Sequence, residues 1–407
     1  MPEKPDWDVI VIGAGPAGLS AARALVAGGL ARVLVLERNP QAGGLPRFCD
    51  HRGWGITDFH RVWTGPAYAR ALVAHATGAT IWTDASVVAI EPGGRIRASL
   101  PDGMRTLHGR AILLATGIRE TPRGPRLVGG TRPWGVTTTG AFQELAISGM
   151  RPFRRPVVVG TELVAFSALL TARHAGIRPV AMIEARDRIT ARHPGGLVAR
   201  LGFGVPVLTG TTLDAIEGDE RVEAVRITRH GRQQRLACDG VIFTGCFVPD
   251  AWLGRSGAFA IDPCTGGPVI DTLFRCSAPG LFAAGNVLRP VEHSGVAARE
   301  GRLAASAILR SLTPAGLPSP AEAITVMPSG QLKYVVPQRL IPEGRPIRLS
   351  GRASGAGRFR FSLRVDDGGQ LAARSVRALP ERRLAITLPA AALNRIAGKT
   401  TLLATLE

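Results

Sequence analysis

Closely spaced cysteines are missing from this sequence. Its 407 residues include five cysteines, and no two of them are separated by only two to four residues, as redox pairs and zinc or iron–sulphur ligand sets require. The eight histidines are scattered without the spacing of metal ligands. The sequence therefore predicts neither a metal site nor dithiol chemistry. We expect reduced thiols at Cys49, Cys238, Cys246, Cys264 and Cys276.

Long apolar runs are also missing. No stretch approaches the roughly 20 apolar residues that a membrane-spanning helix needs, and the N-terminus MPEKPDWDV lacks an apolar signal segment. We therefore expect no membrane span and a cytoplasmic location. With 45% hydrophobic and 20% charged residues, the composition is that of a globular protein, and the length predicts two or three domains.

Lysine is scarce although the formal net charge is +19. Only three of the 50 basic residues are lysines (Lys4, Lys333 and Lys399), and the arginines are spread along the chain without a platform of aromatic residues. Such a pattern does not predict nucleic-acid binding. A diffuse positive field could still attract anionic ligands or an acidic partner subunit.

Residues 7–40 read as a strand, a tight glycine turn, a helix and a second strand. Gly13 allows the turn, Gly15 lets backbone approach a pyrophosphate at the positive end of the helix, and Gly18 lets the helix pack closely on the sheet. Glu37 ends the second strand about 24 residues after the first glycine, where its carboxylate can accept bonds from ribose hydroxyls. The pattern predicts a dinucleotide site.

Two later segments indicate which dinucleotide binds. Residues 112–120 (ILLATGIRE) predict a buried strand that ends at a glycine, and residues 278–287 (APGLFAAGNV) predict another. With the first motif, and in this order, they resemble the flavoproteins with two dinucleotide-binding domains, the fold shared by thioredoxin and glutathione reductases. The resemblance implies bound FAD. Asn286 stands where that family usually has aspartate, and its amide can still accept a hydrogen bond from a ribityl hydroxyl.

The fingerprint and the resemblance together define a set of predicted FAD-binding residues. They are Gly13, Gly15, Pro16, Ala17, Gly18, Glu37, Arg38, Gly44, Val87, Ala115, Thr116, Gly117, Gly285, Asn286 and Val287. Arg38 is expected over the adenine, and Gly44 follows the ribose-binding strand toward the flavin phosphates. No catalytic side chain is assigned, because the flavin itself carries the electrons.

The order of the motifs predicts an α/β protein with two Rossmann-like three-layer dinucleotide-binding domains, the second inserted in the first. We expect a discontinuous FAD-binding domain at residues 1–120 and 247–315, and an NAD(P)-binding-like domain at 121–246. Residues 325–407 show short alternating runs broken by Gly, Pro and Asp-Gly turns, which predict a small C-terminal all-β module. This module could cover the flavin cleft, mediate assembly or cap the fold.

The inserted domain carries an altered copy of the fingerprint. Residues 155–186 repeat the strand–turn–helix–strand plan, but when the copies are aligned on Gly160 the second glycine is Glu162 and the third is Ala165. Two like charges about 4 Å apart at an effective dielectric near 20 repel by roughly 4 kcal/mol, so Glu162 opposes a pyrophosphate. NAD(P)H binding is therefore doubtful, although a rearranged turn could move Glu162 aside and Glu184 could serve a ribose.

Three stretches, residues 115–146, 157–176 and 269–287, resemble a narrower group. These are the FAD-containing alpha-type subunits of hydrogen cyanide synthase, opine oxidase and dye-linked proline dehydrogenase, and the resemblance covers about residues 8–310. It implies a small-molecule substrate of the amine or amino-acid class and an electron partner that is a second flavoprotein subunit; a homo-oligomer is the alternative. Several members carry a cysteine-rich C-terminal module for a [2Fe–2S] cluster, and no cysteine follows residue 276 here.

A third region with candidate ligand-binding groups is residues 41–72. It contains Arg47, Cys49, His51, His60, Arg61 and Trp63. This segment is our candidate for substrate or partner contact, and a surface loop of solvated cations around a buried tryptophan is the alternative.

Three functions remain open at this point. The first is an FAD-dependent oxidoreductase of the amine or amino-acid dehydrogenase type that passes electrons to a partner or another non-nicotinamide acceptor. The second is a standalone NAD(P)H-dependent flavin reductase. The third is a non-catalytic flavin-binding scaffold subunit.

Overall fold

The computed structural model describes residues 5–191, 194–365, 368–396 and 398–407. The chain forms two compact units. The first contains the chain up to Gly44, Ala69–Ile118 and Val248–Glu407, and the second contains Leu45–Tyr68 and Arg119–Phe247. The domain prediction placed residues 45–68 with the first unit, whereas these residues group with the second.

A parallel sheet forms the core of the first unit. Its strands, in spatial order, are Thr80–Trp82, Val33–Leu36, Trp7–Ile12, Gly103–Leu114 and Leu281–Ala283. The sheet continues from Gly103–Leu114 into an antiparallel meander with Arg95–Leu100 and Ser86–Glu91. The central strand is apolar from Val9 to Ile12, and Val9, Ile10 and Val11 have no exposed surface, as expected for a strand covered on both faces.

Three helices belong wholly or partly to this unit: Pro16–Ala27, Gly65–His75, of which the part from Ala69 lies here, and Ser294–Ser311. Short 3₁₀ turns lie at Trp252–Ser256, Gly285–Leu288 and Pro320–Glu322. None of the helices within the described ranges is long and apolar enough to cross a membrane.

The second unit has its own parallel sheet. The strand order is Val136–Thr138, Gly240–Phe243, Pro156–Val159, Ala181–Ile183 and Val207–Leu208. A second sheet joins Gly129–Gly130, Thr211–Glu217, Ala224–Arg229 and Arg232–Ala237. The helices are Ile56–Phe59, Thr139–Ile147, Leu163–His174 and Gly195–Leu197, the last followed by a π-helical turn at Val198–Gly202.

Smaller elements complete the second unit. They are the 3₁₀ turns Leu45–Phe48 and Gly124–Arg126 and the strand pair Arg52–Trp54 and Trp63–Thr64. Two further strands, Ile118–Glu120 and Phe247–Pro249, contain the points at which the chain leaves and re-enters the first unit.

The described residues of the C-terminal region form strands and one 3₁₀ helix, Ala390–Ile396, so the all-β prediction for this region is confirmed. A five-stranded sheet contains Arg339–Leu340, Ile324–Gly330, Thr401–Leu406, Gly357–Val365 and Gln370–Ala378. A three-stranded antiparallel sheet contains Leu332–Val336, Ile347–Ala353 and Leu384–Leu388. The region has its own core, while Tyr334 and Val336 also pack into the core of the first parallel sheet.

Candidate functional site

Two glycines of the first turn are required by close backbone contacts. Gly13 has φ +106°, and a Cβ there would lie 2.5 Å from the carbonyl oxygen of Ala115. A Cβ on Gly18 would lie 1.9 Å from the carbonyl oxygen of Gly13. Any larger residue would therefore separate the helix from the strand end.

The remaining part of the turn leaves the start of the helix open. Gly15 is the N-cap of helix Pro16–Ala27 and offers no side chain to cap it. A Cβ on Gly44 would lie 2.8 Å from the Cα of Gly15, and the N–H of Gly43 donates to Ala14 O at 2.8 Å, so a second glycine pair lies against the turn. Uncapped N–H groups at the positive end of a helix form an anion site.

The carboxylate of Glu37 is buried and fixed next to this turn. Its Oε2 accepts from the N–H of Ala14 at 3.0 Å, and its Oε1 accepts from the backbone and side-chain nitrogens of Asn39. The carbonyl oxygen of Glu37 accepts from the N–H of Ala85, two residues before Val87, whose side chain is buried. The structure thus brings Glu37 and Val87, two of the predicted residues, to the same end of the sheet.

Asp250 connects three other predicted residues. Its Oδ2 lies 3.2 Å from a guanidinium nitrogen of Arg38, its carbonyl oxygen accepts from the Thr116 hydroxyl at 2.7 Å, and its N–H donates to Gly117 O at 2.9 Å. Asp250 is not among the residues predicted from the sequence. No local motif marks it, because its contacts are 134 and 212 residues away along the chain.

The late segment, residues 285–287, reaches the same site. Gly285 has φ +82°, and a Cβ there would lie 2.7 Å from the Cβ of Ala17. Asn286 follows, and Val287 is completely buried in the core. The predicted residues from all five segments of the first unit therefore converge at the carboxyl end of its parallel strands, where ligands of open α/β sheets bind.

Asn286 is itself engaged. Its Oδ1 accepts from the N–H of Glu292 at 2.8 Å, and its Nδ2 donates to the carbonyl oxygen of Glu292 at 3.1 Å. The helix Ser294–Ser311 begins two residues after Glu292. Its N-cap is His293, whose Nδ1 accepts from the N–H of Gly295. Each amide atom of Asn286 has a further hydrogen-bonding site to offer.

The second turn, at residues 160–162, follows the same backbone path as the first turn, but a side chain occupies it. The carboxylate of Glu162 folds back so that its Oε2 accepts from the N–H of Thr161 at 3.0 Å. A Cβ on Gly160 would lie 2.8 Å from Oε2, and a Cβ on Gly245 would lie 2.2 Å from Oε1. The space that these two glycines leave open is therefore filled by the chain's own carboxylate.

Glu184 takes the place of Glu37 in this second copy. Its Oε2 accepts from the Thr161 hydroxyl at 2.5 Å and from the Thr190 hydroxyl at 3.1 Å. In the first copy the N–H of the residue after the first glycine donates to the strand-end acid, whereas here it donates to Glu162. Two acids of the chain, Glu162 and Glu184, thus accept the hydrogen bonds that this turn offers.

Burial raises the pKa of the Glu162 carboxyl above its ordinary value, and the nearby Glu184 carboxylate raises it further. Hydrogen bonds from Thr244 and Thr161 lower this pKa, but they do not cancel the effect of burial. Burial likewise raises the pKa of the Glu120 carboxyl, and the nearby Glu162 carboxylate raises it further. Among the described residues, Oε1 of Glu162 has no hydrogen-bond partner. The second turn therefore disfavours additional negative charge.

The segment 41–72 packs largely into the second unit. Cys49 is buried and its Sγ lies 3.6 Å from Oε1 of Gln143, while Nε2 of His51 lies 2.7 Å from Oγ of Ser167. Trp63 is half-buried against Phe59, with ring centroids 5.1 Å apart. His60 and Arg61 are exposed, and Arg47 lies over the Phe48 ring. A role of this segment in substrate or partner contact stays a prediction.

Thiol and metal chemistry find no support in the described part of the chain. All five cysteines are free, and burial raises the pKa of Cys49 to about 12 and that of Cys238 to about 11, so neither forms a thiolate near neutral pH. No group of three described His, Cys, Asp or Glu residues is arranged to hold a metal ion.

Comparisons with known proteins agree with this geometry. Residues 7–301 match the family described as "Pyridine nucleotide-disulphide oxidoreductase". One subunit of the opine oxidase of Rhizobium meliloti (strain 1021) is 30% identical over 344 residues, which cover 75% of this chain and 71% of that protein. The alpha subunit of sarcosine oxidase from the same strain is 30% identical over 338 residues, 79% of this chain and 32% of the relative.

The fold is also that of a solved structure. The crystal structure of T. acidophilum thioredoxin reductase superposes with a TM-score of 0.64 at 23% identity and covers 75% of this chain and 98% of that one. The α/β fold predicted from the sequence is thereby confirmed. The chain belongs to the pyridine nucleotide-disulphide oxidoreductase family and is an FAD-dependent oxidoreductase.

Proposed function

We propose that the FAD of this enzyme is held at the first turn, by the residues that converge at the carboxyl end of the first parallel sheet. The uncapped start of helix Pro16–Ala27 would bind the pyrophosphate, and the fixed Glu37 carboxylate would accept from a ribose. Thr116, Gly117 and Asn286 would line the remaining part of the cofactor. The glycine contacts at Gly13 and Gly18 support this assignment, because they keep the turn tight enough for backbone donors to face an anion.

FAD bound at this site would supply the redox chemistry of the reaction. The chain's own residues bind and orient the cofactor. Asp250 would act on the cofactor indirectly, because it fixes Arg38 and the loop that contains Thr116 and Gly117. No residue is assigned as a proton-transferring group.

We further propose that the electrons do not come from or go to a nicotinamide held in the second unit. The observation that carries this proposal is the position of the Glu162 carboxylate between Gly160 and Gly245, in the space of the second turn. A pyrophosphate there would meet a like charge when Glu162 is ionised, at a repulsion of roughly 4 kcal/mol for a 4 Å separation and an effective dielectric near 20. It would also have to displace a carboxylate that is already hydrogen bonded.

The substrate that we propose is a secondary amine or amino acid, and the electron acceptor is a second flavoprotein subunit or another non-nicotinamide acceptor. Two relatives support this class, because one belongs to an opine oxidase and the other to a sarcosine oxidase. The sequence contains no Cys-x-x-Cys, which argues against a disulfide as the acceptor. The matched segment covers only 32% of the sarcosine oxidase relative, so its full activity is not carried over.

The proposal is tested by anaerobic stopped-flow spectroscopy of the FAD-loaded protein. We expect NADH and NADPH to bleach the flavin band slowly, and at least one opine or N-methyl amino acid to reduce it and to support turnover with a dye acceptor. Glu162→Gly should tighten NADH or NADPH binding by about tenfold to a thousandfold, because it removes the repulsion. The exposed acid Asp219 gives the control, and Asp219→Asn should leave binding unchanged.

Rapid bleaching of the wild-type flavin by either nicotinamide would contradict the proposal and favour the reductase alternative. Reduction by neither nicotinamide nor any amine, with no dye turnover, would favour the scaffold alternative.

A further inference from the structure

The loop Pro290–Glu292, here called the bracing loop, determines where the Asn286 side chain lies. Asn286 donates to the carbonyl oxygen of Glu292 and accepts from its N–H. An aspartate could make only the second of these bonds, because a carboxylate has no donor. The amide is therefore matched to the bracing loop, and any movement of this loop would move Asn286.

The three-stranded sheet of the C-terminal region contacts every residue of the bracing loop. Strand Leu332–Val336 contributes a hydroxyl, strand Ile347–Ala353 a guanidinium, and the residue before strand Leu384–Leu388 a second guanidinium. The contacts are Tyr334 Oη to Pro290 O at 3.3 Å, Arg352 Nη2 to Val291 O at 2.5 Å, and Arg383 Nη1 to Glu292 Oε2 at 3.4 Å.

A buried network of charged side chains also contacts the bracing loop. The side chain of Arg289 is only 2% exposed and lies between two acids, 3.4 Å from Oε1 of Glu292 and 2.5 Å from Oε1 of Glu300. Arg383 is the second partner of Glu292. Buried charges keep a fixed geometry when each is paired, and here Glu292 would remain paired with Arg289 if Arg383 were removed.

Taking these contacts together, we propose that the three-stranded sheet is a clamp that sets the affinity of the protein for FAD. Tyr334, Arg352 and Arg383 act as positioning residues, because they touch the bracing loop, which is hydrogen bonded to Asn286. A loop held on three consecutive residues is ordered before the cofactor arrives, which lowers the entropy lost on binding. This inference rests on the proposed FAD site at the first turn.

The test measures FAD binding by the apoprotein through quenching of flavin fluorescence, together with the rate of FAD release. For the double variant Arg352→Met/Arg383→Met we expect FAD binding at least tenfold weaker, with correspondingly faster release. The matched control is Arg310→Met, which breaks the exposed ion pair between helix Ser294–Ser311 and Glu343 of the C-terminal region. It should bind FAD within twofold of wild type.

Two single variants keep the test decisive if the double variant does not fold. Tyr334→Phe removes one hydroxyl and should weaken FAD binding severalfold, whereas Arg383→Lys keeps the charge and should restore most of the affinity lost in Arg383→Met. The inference is overturned if the Arg352 and Arg383 variants bind FAD within twofold of wild type, or if Arg310→Met weakens binding as much. Failure of the wild-type apoprotein to bind any FAD would instead overturn the proposed site itself.

Discussion

At the scale of single residues, the residue at the helix N-cap gives the two copies of the turn different contents. Gly15 in the first copy and Glu162 in the second are the N-caps of the helices that follow. With glycine the helix start is open to an anion, and with glutamate a carboxylate occupies the turn and accepts from Thr161. The altered turn thus binds the chain's own carboxylate, and its glycines at 160 and 245 leave the space for it.

The raised pKa of Glu162 makes this residue a source of pH-dependent instability. Below its ordinary pKa of 4.5 the carboxyl is neutral in both the folded and the unfolded chain, so it has no effect. As the pH rises past this value the folded state resists ionisation, and the loss of stability is complete above the raised pKa. Glu162→Gln, which is neutral throughout, should therefore raise the melting temperature at pH 8, by about 2–4 °C per kcal/mol relieved, and have little effect at pH 4.

Thermal melts of the wild type, Glu162→Gln and the exposed control Asp219→Asn at both pH values check this prediction. A Glu162→Gln melting temperature at pH 8 equal to or below that of wild type would show that the carboxylate is stabilised in place.

At the scale of elements, the first unit depends on the contact between helices Pro16–Ala27 and Ser294–Ser311. A Cβ on Gly301 would lie 2.0 Å from the carbonyl oxygen of Ala17, which is backbone and cannot move aside cheaply. Ala17 lies at the start of helix Pro16–Ala27, directly after the glycine turn, and Asn286 precedes helix Ser294–Ser311. The contact between the helices therefore brings the two cofactor-binding segments together. The distance between the two helices therefore affects the cofactor site as well as the packing of the core.

Gly301→Ala should lower both stability and FAD affinity. Alanine in a helix interior is normally favoured over glycine by about 1 kcal/mol, but overpacking typically costs about 1–3 kcal/mol, and here the clash is with backbone. We expect a lower melting temperature and weaker FAD binding, measured by thermal melts and flavin fluorescence. Arg299→Ala, an exposed change in the same helix, should alter neither. A Gly301→Ala protein as stable as wild type would disprove the tight contact.

At the scale of the whole molecule, the described structure contains five separate thiols and no disulfide. The five cysteines are free; Cys49, Cys238 and Cys276 are buried, and Cys246 and Cys264 are exposed. Burial raises the pKa of each of the three buried thiols. The fold is similar to that of T. acidophilum thioredoxin reductase, and no two of the described cysteines are joined in a disulfide.

Thiol titration with a chromogenic disulfide at pH 8 should find two reactive thiols in the native protein and five after unfolding. Alkylation of the two exposed thiols should leave amine-dependent dye reduction unchanged, because no electron passes through them. Loss of turnover on alkylation, with the FAD content unchanged, would contradict this and implicate Cys246 or Cys264.

The sequence by itself determined the dinucleotide turn, the α/β class and the strands of the C-terminal region. These depend on local requirements: a glycine where backbone must approach backbone, an acid at the end of the next strand, and apolar alternation along a strand. The same local reasoning located Glu162 in the second turn, because the two copies align residue by residue.

Only the tertiary structure decided what touches these motifs. It placed Asp250 beside Arg38 and Thr116, folded the Glu162 carboxylate into its own turn, and brought the three-stranded sheet onto the bracing loop. These contacts join residues far apart in the chain, and they depend on the directions of side chains after packing. No periodicity or short motif records such contacts, because each partner residue alone is compatible with many neighbours.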